Sequence, residues 1–279
     1  MKNQAGTGIS VLMSVCAQDH PDFLRASLRS LADQDRSPDE VLLVEDGPLP
    51  ATLSSVINEF RLVMPLKTVC LRENSGLGAA LSEGLGHCSH GLVARMDADD
   101  VSLPSRLGRQ AREFDLQPEL DVLGSFATEF DENSVPGRLR TMPKSHTEIL
   151  ASMWANPIIH STVMFRKERI LGVGGYDPRL RRRQDYELWF RCAEKGLRFA
   201  NLPEPLLLYR FNEASHRRQP ARLAFEQARI GHRGAARQGM PYWKRLACYI
   251  PVFRSLFPLR LQHWLYRRLR QFDPRQNVK

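Results

Sequence analysis

Between residues 9 and 102, four short apolar runs alternate with segments of helical character, and this alternation limits the folds open to the chain. The runs are GISVLMSVCA, DEVLLVEDGP, LKTVCLRE and GLVARMDADD, each of a length that suits a buried strand. The segments between them start at DHPDF, ATLSS and NSGLG, and we expect Asp19 to cap the first helix and Asn74 or Ser75 the third. Strands and helices in this order predict an α/β fold with a mostly parallel central sheet.

The second half of the chain, residues 103–210, is less regular. LDVLGSFATEF predicts a strand, PIIHSTVMFRKERI a strand running into a helix, and LRFANLPEPLLLYR a strand pair. The mixed strand pairing and the longer loops indicate that this second half covers the first half and binds a second substrate. We therefore divide the chain into a domain of residues 1–220, with halves 9–102 and 103–220, and a helical extension of residues 221–279.

Composition excludes several classes of protein. The chain has 279 residues, of which 42% are hydrophobic and 25% charged, so its core needs neither disulfides nor a structural metal. The five cysteines are scattered without a CxxC pair, which argues against a zinc site. The first residues lack the long apolar region of a signal peptide, and no run approaches the ~20 apolar residues of a spanning helix. We expect a cytoplasmic protein with reduced thiols.

Acidic residues stand at the ends of two predicted strands. Asp46 follows the second strand, and Asp97, Asp99 and Asp100 end the fourth. Ligands bind at the carboxyl ends of strands in such sheets, and Mg²⁺ or Mn²⁺ accepts carboxylate oxygens. The other interpretation is a loop whose aspartates cap the helix that starts near Pro104. We expect Asp97 and Asp99 to bind a cation and Asp100 to cap that turn.

Four further residues each have a functional and a structural interpretation. Asp185, at a predicted helix start, suits either a general base or a favourable contact with the helix dipole. His160 fits an acceptor contact or a structural histidine, and Trp189 borders the acceptor or lies in the core. Arg95, like Arg106, flanks the acidic residues, where it pairs with an aspartate or faces a ligand.

The ordered set of these segments resembles the family 2 glycosyltransferases, which have the GT-A fold. The resemblance covers about residues 9–212 and rests on SVLMSVCAQD, EVLLVEDGP, ENSGLGAALSEGL, ARMDADDVSLPSRL, the segment from NPIIH to RCAEKG, and LPEPLLLYR. It implies a Rossmann-like half that binds the nucleotide, fused to a half that binds the acceptor. The subgroup is similar to bacterial enzymes that build cell-surface polysaccharides.

The resemblance also implies roles for individual residues. Asp185 matches the catalytic base of an inverting, metal-dependent enzyme, although Gln184 replaces the more usual Glu before it. Asp97 and Asp99 match the metal-binding DxD motif, and His216 is a candidate third ligand because Asn212 stands where the family often has His. The donor, most often a UDP-sugar, is expected to contact residues of the nucleotide half: Val15, Asp46, Asn74, Gly76, Gly78, Arg95, Asp97 and Ala98. The acceptor is expected to be a glycan or a polyprenyl-linked glycan, near His160 and Trp189.

Two rival functions remain open. A nucleotidyltransferase of the same fold would carry a Gly-rich, basic signature after the first strand, which SVCAQDHPD lacks. A non-catalytic module that binds a sugar nucleotide or a membrane would not need Asp97, Asp99 and Asp185 together. A dinucleotide fingerprint is excluded because Leu81 stands where that motif has Gly or Ala.

The C-terminal segment is strongly basic. Of a formal net charge of +9, nine cations and a single acid lie from residue 241 onward. The stretch PYWKRLACYIPVFRSLFPLRLQHWLYRRLRQF mixes aromatic, aliphatic and basic residues, which predicts short interfacial helices on an anionic membrane, broken at Pro251 and Pro258. The alternative is a helical extension packed on the body. No nucleic-acid motif supports RNA binding. We expect a peripheral protein at the inner face of the cell membrane.

Overall fold

A computed structural model describes residues 8–131, 135–211, 221–255 and 257. The first half is a parallel sheet with connecting helices, as the sequence predicts, and its strand order is β3-β2-β1-β4. Its elements are β1 Ile9–Val15, α1 Pro21–Ala32, β2 Glu40–Glu45, α2 Ala51–Arg61, β3 Leu66–Cys70, α3 Leu77–His87 and β4 Leu92–Asp97.

The same sheet continues through the second half with mixed pairing, in the order β4-β8-β6-β9-β5. β8 is antiparallel to both β4 and β6, whereas β6 and β9 run parallel. The elements are β5 Val101–Ser102, α4 Arg106–Leu116, β6 Val122–Phe130, β7 Pro136–Arg140, α5 His146–Ser152, β8 Met164–Arg166, α6 Lys167–Gly172, α7 Gln184–Glu194 and β9 Phe199–Arg210. Single 3₁₀ turns cover Met153–Ala155 and His160–Thr162.

The strand pair expected in LRFANLPEPLLLYR is wrong. Residues Phe199–Arg210 form one strand that stays paired with β6 across register shifts beside Pro203 and Pro205. Proline has no N–H to donate, so a strand tolerates it where the pairing is irregular. The continuous strand carries the chain from the far end of the second half back to the acidic end of β4.

The apolar runs are buried on both sides of the sheet. Leu12 points to the face covered by α3 and α7, while its neighbours Val11 and Met13 point to the face covered by α1, α2 and α4. A strand buried on both faces needs apolar residues at every position, which explains the unbroken runs in the sequence.

Among the described residues, three helices follow the sheet: α8 Ala221–Arg237, α9 Tyr242–Ala247 and α10 Ile250–Ser255. Helix α8 docks on α7 through two glycines, since a Cβ at Gly231 would lie 2.5 Å from the Tyr186 hydroxyl and one at Gly234 only 2.2 Å from the Phe190 ring. Within the described ranges, no helix is both long and apolar enough to cross a bilayer. The division into residues 1–220 and 221–279 stays a prediction.

Candidate functional site

The carboxyl ends of three strands bring the predicted residues to one edge of the sheet. Val15 is paired with Glu45, and Asp97 lies opposite Ser14, so β1, β2 and β4 end side by side. Asp46 N donates to Val15 O at 2.8 Å. The two acidic features that the sequence separates by fifty residues therefore share this edge.

Asp46 holds the start of α3. Its buried carboxylate accepts hydrogen bonds from Ser75 N at 2.7 Å and Gly76 N at 2.9 Å, and Asn74 Nδ2 donates to Asp46 O at 3.3 Å. The expected capping by Asn74 or Ser75 is wrong: Gly76 is the cap, at φ 91°, and makes no side-chain bond. The carboxylate comes from the neighbouring strand instead, which satisfies the free N–H groups of the helix start.

The glycines of this segment also serve a packing role. A Cβ at Gly76 would lie 2.9 Å from Arg181 Cβ, and a Cβ at Gly78 would lie 2.1 Å from Leu180 O. Arg181 Nη1 in turn donates to Asn74 O at 3.2 Å. The start of α3 is thus fixed against the loop of residues 177–181, which precedes Asp185 in the chain. Donor contact by Asn74, Gly76 and Gly78 stays a prediction.

Two glycines of α3 give a matched pair of variants. We expect Gly78→Ala to destabilise the fold by about 2 kcal/mol, because the added Cβ collides with the backbone carbonyls of Leu180 and Asp177. Gly86→Ala is the control: its Cβ would meet nothing within 4 Å, so helix propensity should stabilise it by about 0.5–1 kcal/mol. Urea denaturation measures both, and equal effects of the two variants would contradict the packing role.

Asp97 is oriented by a buried arginine. The Asp97 carboxylate is half-buried and forms an ion pair with Arg95 Nη1, while Ser27 Oγ donates to Asp97 O at 2.9 Å. Arg95 pairs with an aspartate, one of its two predicted roles, and has almost no exposed surface. Direct donor contact by its side chain does not fit this burial, so Arg95 acts through Asp97. Arg106 donates to Arg95 O at 2.6 Å and makes no ion pair with an aspartate within the described ranges.

Asp97, Asp99 and Asp100 form an acidic cluster. Each offers one carboxylate oxygen, and these three atoms lie within 4.8 Å of one another, close enough to bind one cation. Desolvation within the cluster raises the pKa of Asp99 to about 6, together with the charges of Asp97 and Asp19, although the residue still has exposed surface. Burial, followed by the charges of Asp97 and Asp99, raises the pKa of Asp100 well above its ordinary value. Repulsion among these carboxylates destabilises the cluster unless a positive charge binds between them.

Asp100 does not cap the turn toward Pro104. Helix α4 begins at Arg106 and has no side-chain cap, whereas Asp100 Oδ1 accepts from Arg210 N, at the end of β9, at 2.8 Å. Arg210 Nε also donates to Asp99 O at 2.8 Å. Asp100 Oδ2 is buried without a hydrogen-bond partner among the described residues. The third aspartate therefore belongs to the cluster and ties it to β9.

The raised pKa of Asp99 predicts a pH effect on the metal-free protein. Between about 3.8, its ordinary value, and about 6, the folded chain binds more protons than the unfolded chain, so the free energy of unfolding falls as the pH rises. Asp99→Asn removes this loss. Relative to the wild type, the free energy of unfolding of the variant should rise by on the order of 1 kcal/mol between about pH 4 and pH 7, allowing for solvent screening.

Urea denaturation with a chelator present measures that difference. Adding Mg²⁺ or Mn²⁺ near pH 7 should reverse it, because the wild type then gains the energy of binding the cation. A difference that stays constant with pH would show that Asp99 is not destabilised by its neighbours.

Asp185 lies in the first turn of α7 and is held by a residue that the sequence did not single out. Asn156 Nδ2 donates to Asp185 Oδ2 at 3.2 Å. Asn156 itself has a left-handed backbone, with φ 52°, and Arg183 at the start of α7 has φ 64°. Non-glycine residues at positive φ are uncommon and gather at functional sites. The carboxylate is half-buried, so one oxygen is held while the group remains accessible.

His160 and Tyr176 contact each other near Arg95. His160 Nε2 and the Tyr176 hydroxyl are 2.9 Å apart, and burial together with the charge of Arg95 lowers the pKa of His160 well below its ordinary value. The pKa of Tyr176 is raised mainly by burial, and the charges of both Arg95 and Asp185 also affect it.

Trp189 does not border an acceptor. Its side chain is fully buried, with ring centroids 6.1 Å from His160 and 6.5 Å from Phe199. This is the structural interpretation of the sequence, and it corrects the predicted acceptor contact. His160 is partly buried, and its acceptor contact stays a prediction.

Sequence reasoning missed Asp19. It follows β1 and was expected to cap α1, yet His20 is the cap, with Nδ1 accepting from Asp22 N at 3.3 Å. Asp19 Oδ2 accepts from Cys16 N at 2.7 Å, and burial raises its pKa, as do the charges of Asp97 and Asp46. The rule that found Asp46 and Asp97, an acid at a strand end, would also have found Asp19.

Less can be said about the last of the residues predicted to contact the donor or the metal. Val15 and Ala98 are buried, so only their backbone groups are left for a donor. His216 and Asn212 lie outside the described residues, and a third metal ligand from that segment stays a prediction.

Comparison with known proteins gives concordant matches. The sequence model described as Glycosyl transferase family 2 matches residues 10–189. The chain is 39% identical over 203 residues to the amylovoran biosynthesis glycosyltransferase AmsE of Erwinia amylovora, covering 72% of this chain and 75% of that protein. It is 30% identical over 263 residues to the UDP-Gal:alpha-D-GlcNAc-diphosphoundecaprenol beta-1,3-galactosyltransferase of Escherichia coli, covering 93% and 95%.

A solved structure shares the fold. The crystal structure of residues 1–349 of S. aureus TarS in complex with UDP-GlcNAc superposes with a TM-score of 0.66 over 89% of this chain and 72% of that one. Sequence identity is 18%, so this likeness concerns the architecture alone. It agrees with the α/β fold predicted from the order of strands and helices.

Proposed function

The chain belongs to glycosyl transferase family 2 and is therefore a glycosyltransferase, and we propose that it moves a sugar from a nucleotide-sugar donor to a hydroxyl group of a glycan acceptor. The donor is proposed to be UDP-linked and the acceptor lipid-linked, as the name of the E. coli relative states for that protein. The product is proposed to enter a cell-surface polysaccharide; AmsE, the E. amylovora relative, takes part in amylovoran biosynthesis.

One observation carries the proposal: the structure holds a cluster of three carboxylates that can bind one cation and, at the start of α7, a separate carboxylate that Asn156 fixes. Asp97 of the cluster is paired with Arg95. Sugar transfer needs these two kinds of group. One must attract the diphosphate leaving group, and the other must accept the proton of the incoming hydroxyl.

The acidic cluster fits a divalent cation. Its donor atoms are hard carboxylate oxygens, which suit Mg²⁺ or Mn²⁺, and Asp100 Oδ2 is buried without a partner among the described residues. Asp97, Asp99 and Asp100 would hold the ion, with Arg95 fixing the direction of Asp97. A bound cation would supply Lewis-acid stabilisation to the departing diphosphate.

Asp185 is proposed as the catalytic base. Asn156 holds its Oδ2, which leaves Oδ1 to accept the proton of the acceptor hydroxyl. The deprotonating oxygen attacks the anomeric carbon as the bond from that carbon to the nucleoside diphosphate breaks on the opposite face. Displacement from the opposite face inverts the anomeric configuration. The base must lie within hydrogen-bond reach of the hydroxyl, which makes the position of α7 decisive.

A donor screen tests the function. The protein is incubated with UDP-sugars and Mg²⁺ or Mn²⁺, and both thermal stabilisation and release of the nucleoside diphosphate are measured. We expect one donor to stabilise the fold and to be consumed when a diphosphate-linked glycan is added. Consumption of a nucleoside triphosphate with release of pyrophosphate would instead establish a nucleotidyltransferase. Donor binding without consumption in the presence of varied acceptors would favour a non-catalytic module.

A further inference from the structure

The C-terminal helices expose a row of large apolar side chains. Trp243, Leu246, Ile250 and Phe253 are 60%, 49%, 55% and 64% exposed, and Tyr242 is exposed as well. We call these five residues the apolar row. Elsewhere in the described parts of the chain, exposed large apolar residues stand singly or in pairs, such as Leu62 and Val63. Exposed apolar groups gathered on one element mark an interaction surface, whereas scattered ones need no explanation.

The same helices are anchored to the body of the protein. The rings of Trp243 and Trp154 lie 5.9 Å apart, so Trp243 belongs both to the apolar row and to this anchor; Lys244 Nζ donates to Ala151 O at 2.8 Å, and Cys248 Sγ contacts Trp154 O at 3.7 Å. Tyr249 meets His232 of α8 edge-on, with centroids 5.7 Å apart. Among the described residues, the helices are thus held in place while the large apolar side chains of the row stay exposed.

The segment that carries the row is strongly basic. From residue 221 onward the chain has thirteen Lys and Arg residues and only two acids, Glu226 and Asp273. Arg222, Arg229, Arg233 and Arg237 are exposed at spacings of seven, four and four, which places them along one face of α8. The 22 residues after Phe257 contain six of the thirteen cations, so the charge extends beyond the described helices.

We propose that the apolar row and the arginine face of α8 form a docking surface for an anionic lipid membrane. Apolar and aromatic side chains enter the boundary between headgroups and acyl chains, while the arginines attract the negative lipids. A protein partner would have to match thirteen cations with a correspondingly acidic face. An anionic bilayer carries negative charge over its whole surface, and short helices can lie in the plane of its headgroup region.

The surface is tied to the proposed base. Trp154, which packs on Trp243, accepts a hydrogen bond from the Tyr186 hydroxyl at 2.6 Å, and Tyr186 follows Asp185 in α7. Asn156, which holds Asp185, is two residues from Trp154. Docking would therefore place the Asp185 side of the site close to the membrane, where the diphosphate-linked end of a lipid acceptor lies. This consequence rests on the proposed function; the docking itself does not.

Flotation of the full chain with vesicles tests the docking surface. The vesicles contain phosphatidylcholine alone or mixed with phosphatidylglycerol, and no donor or acceptor is present. The test variant is Leu246→Ser, Ile250→Ser, Phe253→Ser. The matched control is Leu62→Ser, Val63→Ser, Leu116→Ser, which removes three exposed apolar residues from other surfaces. Both leave the anchoring residues Trp154, Trp243 and Cys248 in place.

We expect the wild type and the control to float with anionic vesicles and to be released by high salt. The test variant should bind about tenfold or more weakly, although it keeps every cation. Wild-type-like flotation of the test variant, or equal loss in the control, would overturn the proposal. So would a wild type that stays soluble with anionic vesicles, or one that forms a dimer which the test variant abolishes. Donor-induced thermal stabilisation, measured on the same samples, separates these outcomes from a failure of the proposed function.

Discussion

Replacing Asp185 with Asn is expected to lower kcat for sugar transfer by about 10³-fold while leaving donor affinity nearly unchanged. An amide is close in shape to the carboxylate and keeps an oxygen that can accept from Asn156 Nδ2, so the start of α7 should be preserved. It cannot take a proton from the acceptor hydroxyl at neutral pH. The donor, in contrast, is proposed to bind at the ends of β1, β2 and β4, which the variant does not touch.

Initial rates at saturating donor and acceptor give kcat, and calorimetry with the donor and Mn²⁺ gives its Kd. Glu194→Gln is the matched control, because Glu194 ends the same helix and pairs only at 3.7 Å with Arg237. The control should keep its activity. If Asp185→Asn lost donor binding together with activity, the carboxylate would belong to the donor site and the assignment as base would be wrong.

Removal of the divalent cation is expected to lower the rate of sugar transfer about as strongly as the replacement of Asp185 does. A chelator should abolish transfer, and Mg²⁺ or Mn²⁺ should restore it. Asp99→Asn should raise the cation concentration needed for half-maximal activity by about 10–100-fold, comparable to about 1.4–3 kcal/mol of binding free energy. Asp99 is the better choice than Asp97, because removing Asp97 would leave the buried charge of Arg95 unpaired and destabilise the fold.

Titration of activity with the cation measures this effect. Asp115→Asn removes an exposed carboxylate of α4 that is not part of the acidic cluster, and this control should titrate like the wild type. Undiminished transfer in the presence of chelator would contradict a metal-dependent mechanism.

The sequence predicted local structure well and failed mostly at helix starts. Asn74 and Ser75, Asp19 and Asp100 all have residue types that favour caps, but none of them caps the helix expected. At two of these places a contact from elsewhere in the fold replaces the cap: Asp46 binds the start of α3, and Asp100 accepts from Arg210 N. At the third, the next residue, His20, caps α1 in place of Asp19. Capping propensity is worth only about 1 kcal/mol, so a contact set by tertiary structure readily overrides it.

The sequence also did not determine which of the candidate side chains are buried. Arg95 and Trp189 were each assigned two roles, and the structure decides between them because both side chains lie in the interior. Asn156 could not be found from the sequence, since its importance comes from a left-handed backbone and from a hydrogen bond to a residue 29 positions away.

The sequence by itself determined the parallel arrangement of the first four strands, the acids at their carboxyl ends, and the basic, aromatic character of the C-terminal segment. These features are local: hydrophobic period, residue type at a strand end, and composition can each be seen in a short window. Tertiary structure decided which carboxylates act together and which side of the C-terminal helices faces outward. Those properties depend on contacts such as Asp46 with Ser75, Asp100 with Arg210 and Trp154 with Trp243, which form only when the sheet brings distant segments together.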